Sequence, residues 1–270
     1  MKKQFWITIK QFLLYLILSQ GIMTLGIIIV AIKSVSIGIE KNQEAISKFV
    51  SETTIAQWAL ALGFALAIVV FLGKRYVRIT TGRIERSTLG MVAFMAALAS
   101  LGWMFTEVST MLLVDFDKLF PGEVEGTEQQ ISNLTSELLG AISVGLLAPI
   151  AEEIGFRGVL LGGLLRMRCK PWVAIVLAAI VFALFHGMSI RILGTTVFGI
   201  ITGWLYWRTR SLIPGIIAHV VNNSTAVALG FLPSEYEPSK QACVICLVVS
   251  LLMLVIGLRW FKQGHYLSRS

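Results

Sequence analysis

The sequence predicts an all-α, polytopic transmembrane helical bundle of about eight spans with both termini in the cytoplasm. Composition is the first observation behind this: of 270 residues 56% are hydrophobic and only 14% charged, with a mean hydropathy of +0.80, far outside ordinary soluble composition. The second is the pattern of apolar residues. They lie in continuous runs close to the about 20 residues that a helix needs to cross the roughly 30 Å hydrocarbon layer, whereas a transmembrane β-barrel alternates in segments of about ten. The third is that basic residues collect in alternate connections, as the positive-inside rule requires.

The spans fall near residues 12–32, 55–72, 89–113, 138–165, 171–188, 192–207, 212–231 and 241–258. Lys2 and Lys3 resemble the start of a signal peptide, but the apolar run after them is longer than a signal core and lacks a small-residue cleavage site, so it reads as a retained first helix. The next two spans carry small residues suited to close contact, Gly63, Ala65 and Ala67, then Ala96, Ala97 and Ala99, and look like scaffold. Residues 1–135 therefore read as an N-terminal scaffold, 136–232 as a core of four spans, and 233–270 as a last span and tail.

Sixteen basic residues follow the even-numbered spans or precede the first, against six on the other side (Lys33, Lys41, Lys48, Lys118, Arg191 and Lys240). The opposite side collects acid, including Asp115, Asp117, Glu123, Glu125, Glu128, Glu137, Glu235 and Glu237. The polar stretch from Asp115 to Thr135 reads as an external loop with a solvated charged face. The net charge of +8 does not indicate nucleic-acid binding, because the cations flank spans and form no separate basic domain. Glu107 lies close enough to the outer surface to snorkel or pair. Cys169 sits in a turn, and Cys243 and Cys246 sit inside an apolar helix, where packing is the simpler reading than redox or metal chemistry.

From the fourth span onward the character changes. Pro149 can kink that helix and free a carbonyl, and Gly158-x-x-x-Gly162 and Gly199-x-x-x-Gly203 are small-residue patterns that let backbones approach. Glu152, Glu153 and Arg157 lie inside the apolar run. A Glu near a bilayer midplane costs about 2.5–3.5 kcal/mol even on the lenient insertion scale. Glu153 and Arg157, four apart, share a helix face, while Glu152 is turned by about 100°. An arginine satisfies one carboxylate more easily than two, so Glu152 is left to point elsewhere. The plainer reading of the pair is a packing or register lock.

His186 in the fifth span and His219 in the seventh are the two intramembrane histidines; His265 belongs to the tail. Lipid forbids such groups from facing outward unpaired, so the three spans should turn them toward one interior cavity. Asn223 lies on the His219 face, and Asn222 is about 60° away. A carboxylate, two imidazoles and an amide around water suit peptide hydrolysis. The carboxylate and an imidazole take a proton from water, which is worth about 10²–10⁴ in rate, and N–H donors hold the oxyanion. No serine or cysteine nucleophile motif and no H-E-x-x-H helix is evident, so water is the expected nucleophile.

In order, Glu152-Glu153-Ile154-Gly155-Phe156-Arg157, Phe182-x-x-x-His186 and His219-x-x-x-Asn223 resemble the motifs of the CPBP family, which includes type II CAAX prenyl endopeptidases and bacteriocin-processing and immunity proteins. The resemblance covers about residues 136–232. It implies a glutamate-dependent intramembrane endopeptidase in which Glu152 and His186 activate water, His219 and Asn223 form the oxyanion site, and Glu153 and Arg157 orient the first carboxylate.

No cofactor is expected. The alternative is Zn²⁺ on Glu152, His186 and His219, since three protein ligands plus water make a catalytic site. An arginine beside the carboxylates and an amide beside the second histidine suit an oxyanion better than a cation. The expected partners are the lipid bilayer and a membrane-associated peptide or protein, with no nucleic acid. Short loops suggest a bacterial plasma membrane, where a prenylated substrate is less expected than a peptide precursor.

Two rivals come from other classes. One is a non-hydrolytic immunity or interaction protein, which would still protect cells with Glu152 replaced by alanine. The other is an ion-coupled transporter, against which the lack of an internal repeat argues.

Overall fold

The computed structural model describes residues 2–36, 54–114, 132, 135, 137–187, 191–231 and 238–267. Among these the chain is helical with no strand, and each predicted span coincides with a helix. Helix α1 runs without a break through Lys2–Leu16, a π turn Ile17–Gly21, and Ile22–Ser36. Thr54–Gly73 forms α2 and Leu89–Leu113 forms α3. Helix α4, Leu138–Arg166, is followed by α5 (Pro171–Phe185), α6 (Ile192–Thr209), α7 (Ile213–Leu229) and α8 (Lys240–Gln263).

Four of these are long and apolar enough to cross a membrane: the first, third, fourth and last. The others are shorter or less apolar. The acidic residues from Asp115 to Glu128, with Glu235 and Glu237, lie outside the described residues.

Many aliphatic side chains on the outside of the bundle are exposed, among them Leu25, Val69, Leu193, Ile245 and Leu252. In water that surface would be costly; against lipid tails it is the ordinary exterior of a membrane protein. Packing inside is by close approach, as the small residues predict. A Cβ on Gly199 would lie 3.0 Å from the Ala179 Cβ, and one on Gly203 would lie 3.3 Å from Ile175, so α5 and α6 meet through these two glycines. We expect Gly199→Ile to destabilise the protein by about 1–3 kcal/mol through overpacking, measured as thermal unfolding in detergent.

Helices α3 and α8 cross in the same way. Gly102 faces the α8 backbone at Ser250 and Leu254, and Thr106 Oγ1 and Ser250 Oγ are 2.9 Å apart. The three cysteines are free thiols, Cys243 buried in α8.

The connections whose cations were assigned to one side of the membrane meet at one end of the bundle. The Arg83 N–H donates to the Thr209 carbonyl at 2.7 Å and the Glu85 N–H to the Tyr266 carbonyl at 2.9 Å. Arg208 donates to the Lys262 carbonyl at 2.8 Å. The turn after α2, the end of α6 and the tail after α8 therefore form one capped end.

Helix α4 is the irregular element. It passes through a π segment at Ser143–Leu147, a turn of α-helix at Ala148–Glu152 and a second π segment at Glu153–Leu161. Such segments recur at functional sites because they rotate side chains out of the 3.6-residue register. Pro149 supplies a cause for the first. It has no N–H to offer the carbonyls of Gly145 or Val144, four and five residues back. Both are satisfied from α7 instead: Asn223 Nδ2 donates to the Val144 oxygen at 3.1 Å and Ser224 Oγ to the Gly145 oxygen at 3.0 Å. The proline thus costs α4 one internal bond, and the two carbonyls facing it dock α7 against α4.

Candidate active site

The second π segment begins immediately after Glu152, which places the two carboxylates at the junction of two helical registers. Glu153 is fully buried and its Oε1 lies 2.9 Å from Arg157 Nη1, the pairing that the spacing predicts. The guanidinium, 2% exposed, also donates to the Thr202 hydroxyl and to the Gly199 carbonyl at 3.4 Å, and its carbon stands 4.3 Å over the Phe182 ring. A buried cation needs this many partners, because an uncompensated charge there would be prohibitive.

Glu153 makes a second contact: its Oε1 accepts from His219 Nδ1 at 3.0 Å. In the structure the Glu153–Arg157 pair therefore holds His219, where the expected role was to orient Glu152. Gly215 permits this arrangement, since a Cβ there would lie 2.6 Å from Glu153 Oε2. The other face of His219 is fixed by aromatic edges, with ring centroids 5.1 Å from Phe198 and 5.6 Å from Phe182.

Glu152 points away from that pair, as its 100° rotation predicts, and meets both histidines. Its Oε2 is 3.5 Å from His219 Nε2 and 3.7 Å from His186 Nε2. These separations are longer than a direct hydrogen bond, and they gather two ring nitrogens around one carboxylate oxygen, a set that can hold a water on its open side.

His186 departs from its expected position inside the fifth span. Helix α5 ends at Phe185, and His186 is its C-cap, with backbone N–H donating to the Ala183 carbonyl. Its side chain is 40% exposed, against 3% for His219 and 11% for Glu152, so the site opens on the His186 side. Nδ1 lies 2.9 Å from the Phe182 carbonyl; with the proton on Nδ1 this bond directs Nε2 at Glu152.

Asn223 lies farther along α7, half-buried. One amide hydrogen is committed to Val144, leaving the second free to donate. Asn222 Nδ2 approaches Asn223 Oδ1 at 3.5 Å. His265 is remote, bound to Gln263 in the tail. Glu107, in the outer part of α3, is half-buried against Gly194, with Arg191 as the opposite charge that acts on it.

Sequence reasoning missed Thr202 and the aromatic walls, and it expected a carbonyl freed by Pro149 without naming what would bind it. Thr202 stands three residues after Gly199, on the small-residue face of α6, and that position was the available signal. Phe182 is the first residue of the F-x-x-x-H pattern, and its ring and carbonyl each hold a member of the site.

Residues 134–225 match the family model described as Type II CAAX prenyl endopeptidase Rce1-like. A stretch of 132 residues is 26% identical to a protein named "Putative membrane peptidase YdiL" from Bacillus subtilis (strain 168), covering 49% of this chain. The aligned stretch covers 54% of that protein, so the chain spans about half the length of the curated relative it matches. No solved structure matches the chain. Glu152, Glu153, Arg157, His186, His219 and Asn223 all lie inside the family match, so this segment, about a third of the chain, is similar to Rce1-like endopeptidases and fits the CPBP pattern of its motifs.

Proposed function

We propose that this protein is an intramembrane endopeptidase that hydrolyses a peptide bond in a membrane-associated peptide or protein, with Glu152 and His186 activating water. The observation that carries the reading is the Glu152 carboxylate, with imidazole nitrogens 3.5 and 3.7 Å from one oxygen inside a bundle of apolar helices. All eight helices would cross the bilayer of a plasma membrane, with the capped end and both termini on the cytoplasmic side. The convergence of the basic connections supports this topology.

In the reaction the water oxygen attacks the substrate carbonyl carbon as Glu152 takes its proton. The His186 Nε2 lone pair faces the same space and shares that task. The carbonyl π pair moves onto oxygen, and the oxyanion is held by His219 Nε2–H and the free N–H of Asn223. This requires a proton at Nε2 as well as the one Nδ1 donates to Glu153, whose carboxylate fixes the ring as the buried Asp does in a catalytic triad. Glu152 then returns the proton to the leaving nitrogen as the C–N bond breaks. General acid–base help and each oxyanion donor are worth about 10²–10⁴ and 10²–10³ in rate respectively.

Zinc on Glu152, His186 and His219 is the alternative catalyst. Donors about 2.0–2.1 Å from a shared tetrahedral ion stand not far below the 3.5 and 3.7 Å found here. The Arg157 cation, one carboxylate behind, favours an anion-binding site. We therefore route no step through a metal. The test is peptidase activity in detergent with a strong zinc chelator. Activity that survives chelation is expected; activity abolished by chelator and restored by zinc would replace this mechanism with a metal-dependent one.

A further inference from the structure

Helix α1 contributes one polar group to this region that the mechanism above does not use. Tyr15 is 1% exposed, and among the described residues neither its buried hydroxyl nor Glu152 Oε2 makes a hydrogen bond of standard geometry. Buried polar groups are rarely left so, and a phenol and a carboxylate that face the same stretch of α4 call for each other or for a shared water.

The phenol ring is held in place from several directions. Phe12 stacks on it at 6.0 Å, and Phe71 and Phe156 meet it edge-on at 6.1 and 5.8 Å. Below it is Gly155, where a Cβ would lie 2.5 Å from Cζ, the carbon that bears the hydroxyl. Any larger residue at 155 would evict the ring. Because Gly155 follows Glu152 by three residues, it lies about one turn along from that carboxylate. The charged groups facing Tyr15 are Glu152, Arg157 and Glu153, with Glu152 foremost. Ser19, one turn on, is the rival partner: its hydroxyl hydrogen is given to the Tyr15 main-chain carbonyl at 2.8 Å, and its oxygen can still accept from the phenol, which is why it enters the test below.

We propose that the Tyr15 hydroxyl donates a hydrogen bond to the Glu152 carboxylate, directly or through one water, and so makes Tyr15 a positioning residue supplied by the first helix. Both histidines approach Glu152 from the α5 and α7 side. A donor from α1, which carries neither histidine, holds the carboxylate independently of them and keeps its proton-accepting oxygen aimed between the imidazoles. This role rests on Glu152 being the catalytic carboxylate, but the hydrogen bond itself does not.

The test therefore reads the bond in the resting protein as well as in turnover. In purified full-length protein, the infrared band of the Glu152 carboxyl group is identified by its loss in Glu152→Gln. It should shift in Tyr15→Phe, which keeps the ring and its packing, and should stay in place in Ser19→Ala. In the peptidase assay Tyr15→Phe should lose about 10–100-fold in kcat with KM within about twofold and an unchanged melting temperature. A shifted band in a protein that cleaves nothing would uphold the bond and remove the protease reading. A Glu152 band unmoved by Tyr15→Phe, or a kcat within about twofold of wild type in an active enzyme, overturns the proposal.

Discussion

Replacing Arg157 with leucine should destabilise the folded protein by about 3–5 kcal/mol, the cost of stranding a buried carboxylate without its counter-ion. Glu153 has no solvent to fall back on, since its side chain is fully buried and its remaining partner is His219 Nδ1. The Thr202 hydroxyl and the Gly199 carbonyl lose a donor at the same time. In thermal unfolding in detergent the loss should appear as roughly 6–20 °C. Glu153→Gln added to Arg157→Leu should recover part of it, because the pair is then removed instead of broken. A single Arg157→Leu variant melting within about 2 °C of wild type would show that the guanidinium is not buried as described.

Exchange of His219 for phenylalanine should separate chemistry from packing. The replacement ring keeps its edges against Phe182 and Phe198, and Glu153 keeps Arg157, so the fold should survive. What goes is the nitrogen facing Glu152 and the one facing Glu153. With the oxyanion donor gone and the catalytic water less well held, kcat should fall about 10²–10⁴-fold, with a smaller change in KM. A kcat within about tenfold of wild type would remove His219 from the mechanism.

Different parts of this protein were legible in the sequence to different depths, for physical reasons. Continuous apolar runs dictate helices, so Leu89–Leu113 was placed to the residue and Leu138–Arg166 to within one. Local spacing likewise placed Arg157 on Glu153 and turned Glu152 away from both. The cost of polar groups in lipid pointed Glu152, His186 and His219 inward, and the structure brings their side chains together.

What no local rule could supply was partnership across helices. That His219 touches both carboxylates depends on how closely α7 meets α4. That approach depends in turn on Gly215 and on the α4 carbonyls before Pro149, which α7 side chains bind. Pro149 announced a break in α4, but the second π segment, which carries Glu153 and Arg157, has no such mark in the sequence. His186 was read one step too far into its helix, because the apolar run continues to Phe185 and hides the cap. Tyr15 looked like one more aromatic in a scaffold helix, and only Gly155, 140 residues later, marks where its ring goes.

The central claim, that Glu152 activates water to cut a peptide bond, is tested most directly with a library of membrane-anchored peptides. The library is incubated with wild type or Glu152→Gln in proteoliposomes, and products are identified by mass spectrometry. The account predicts defined cleavage by wild type and a fall of at least about 10³-fold in the variant, at an unchanged melting temperature. Cleavage by Glu152→Gln at the wild-type rate and at the same bonds would contradict it.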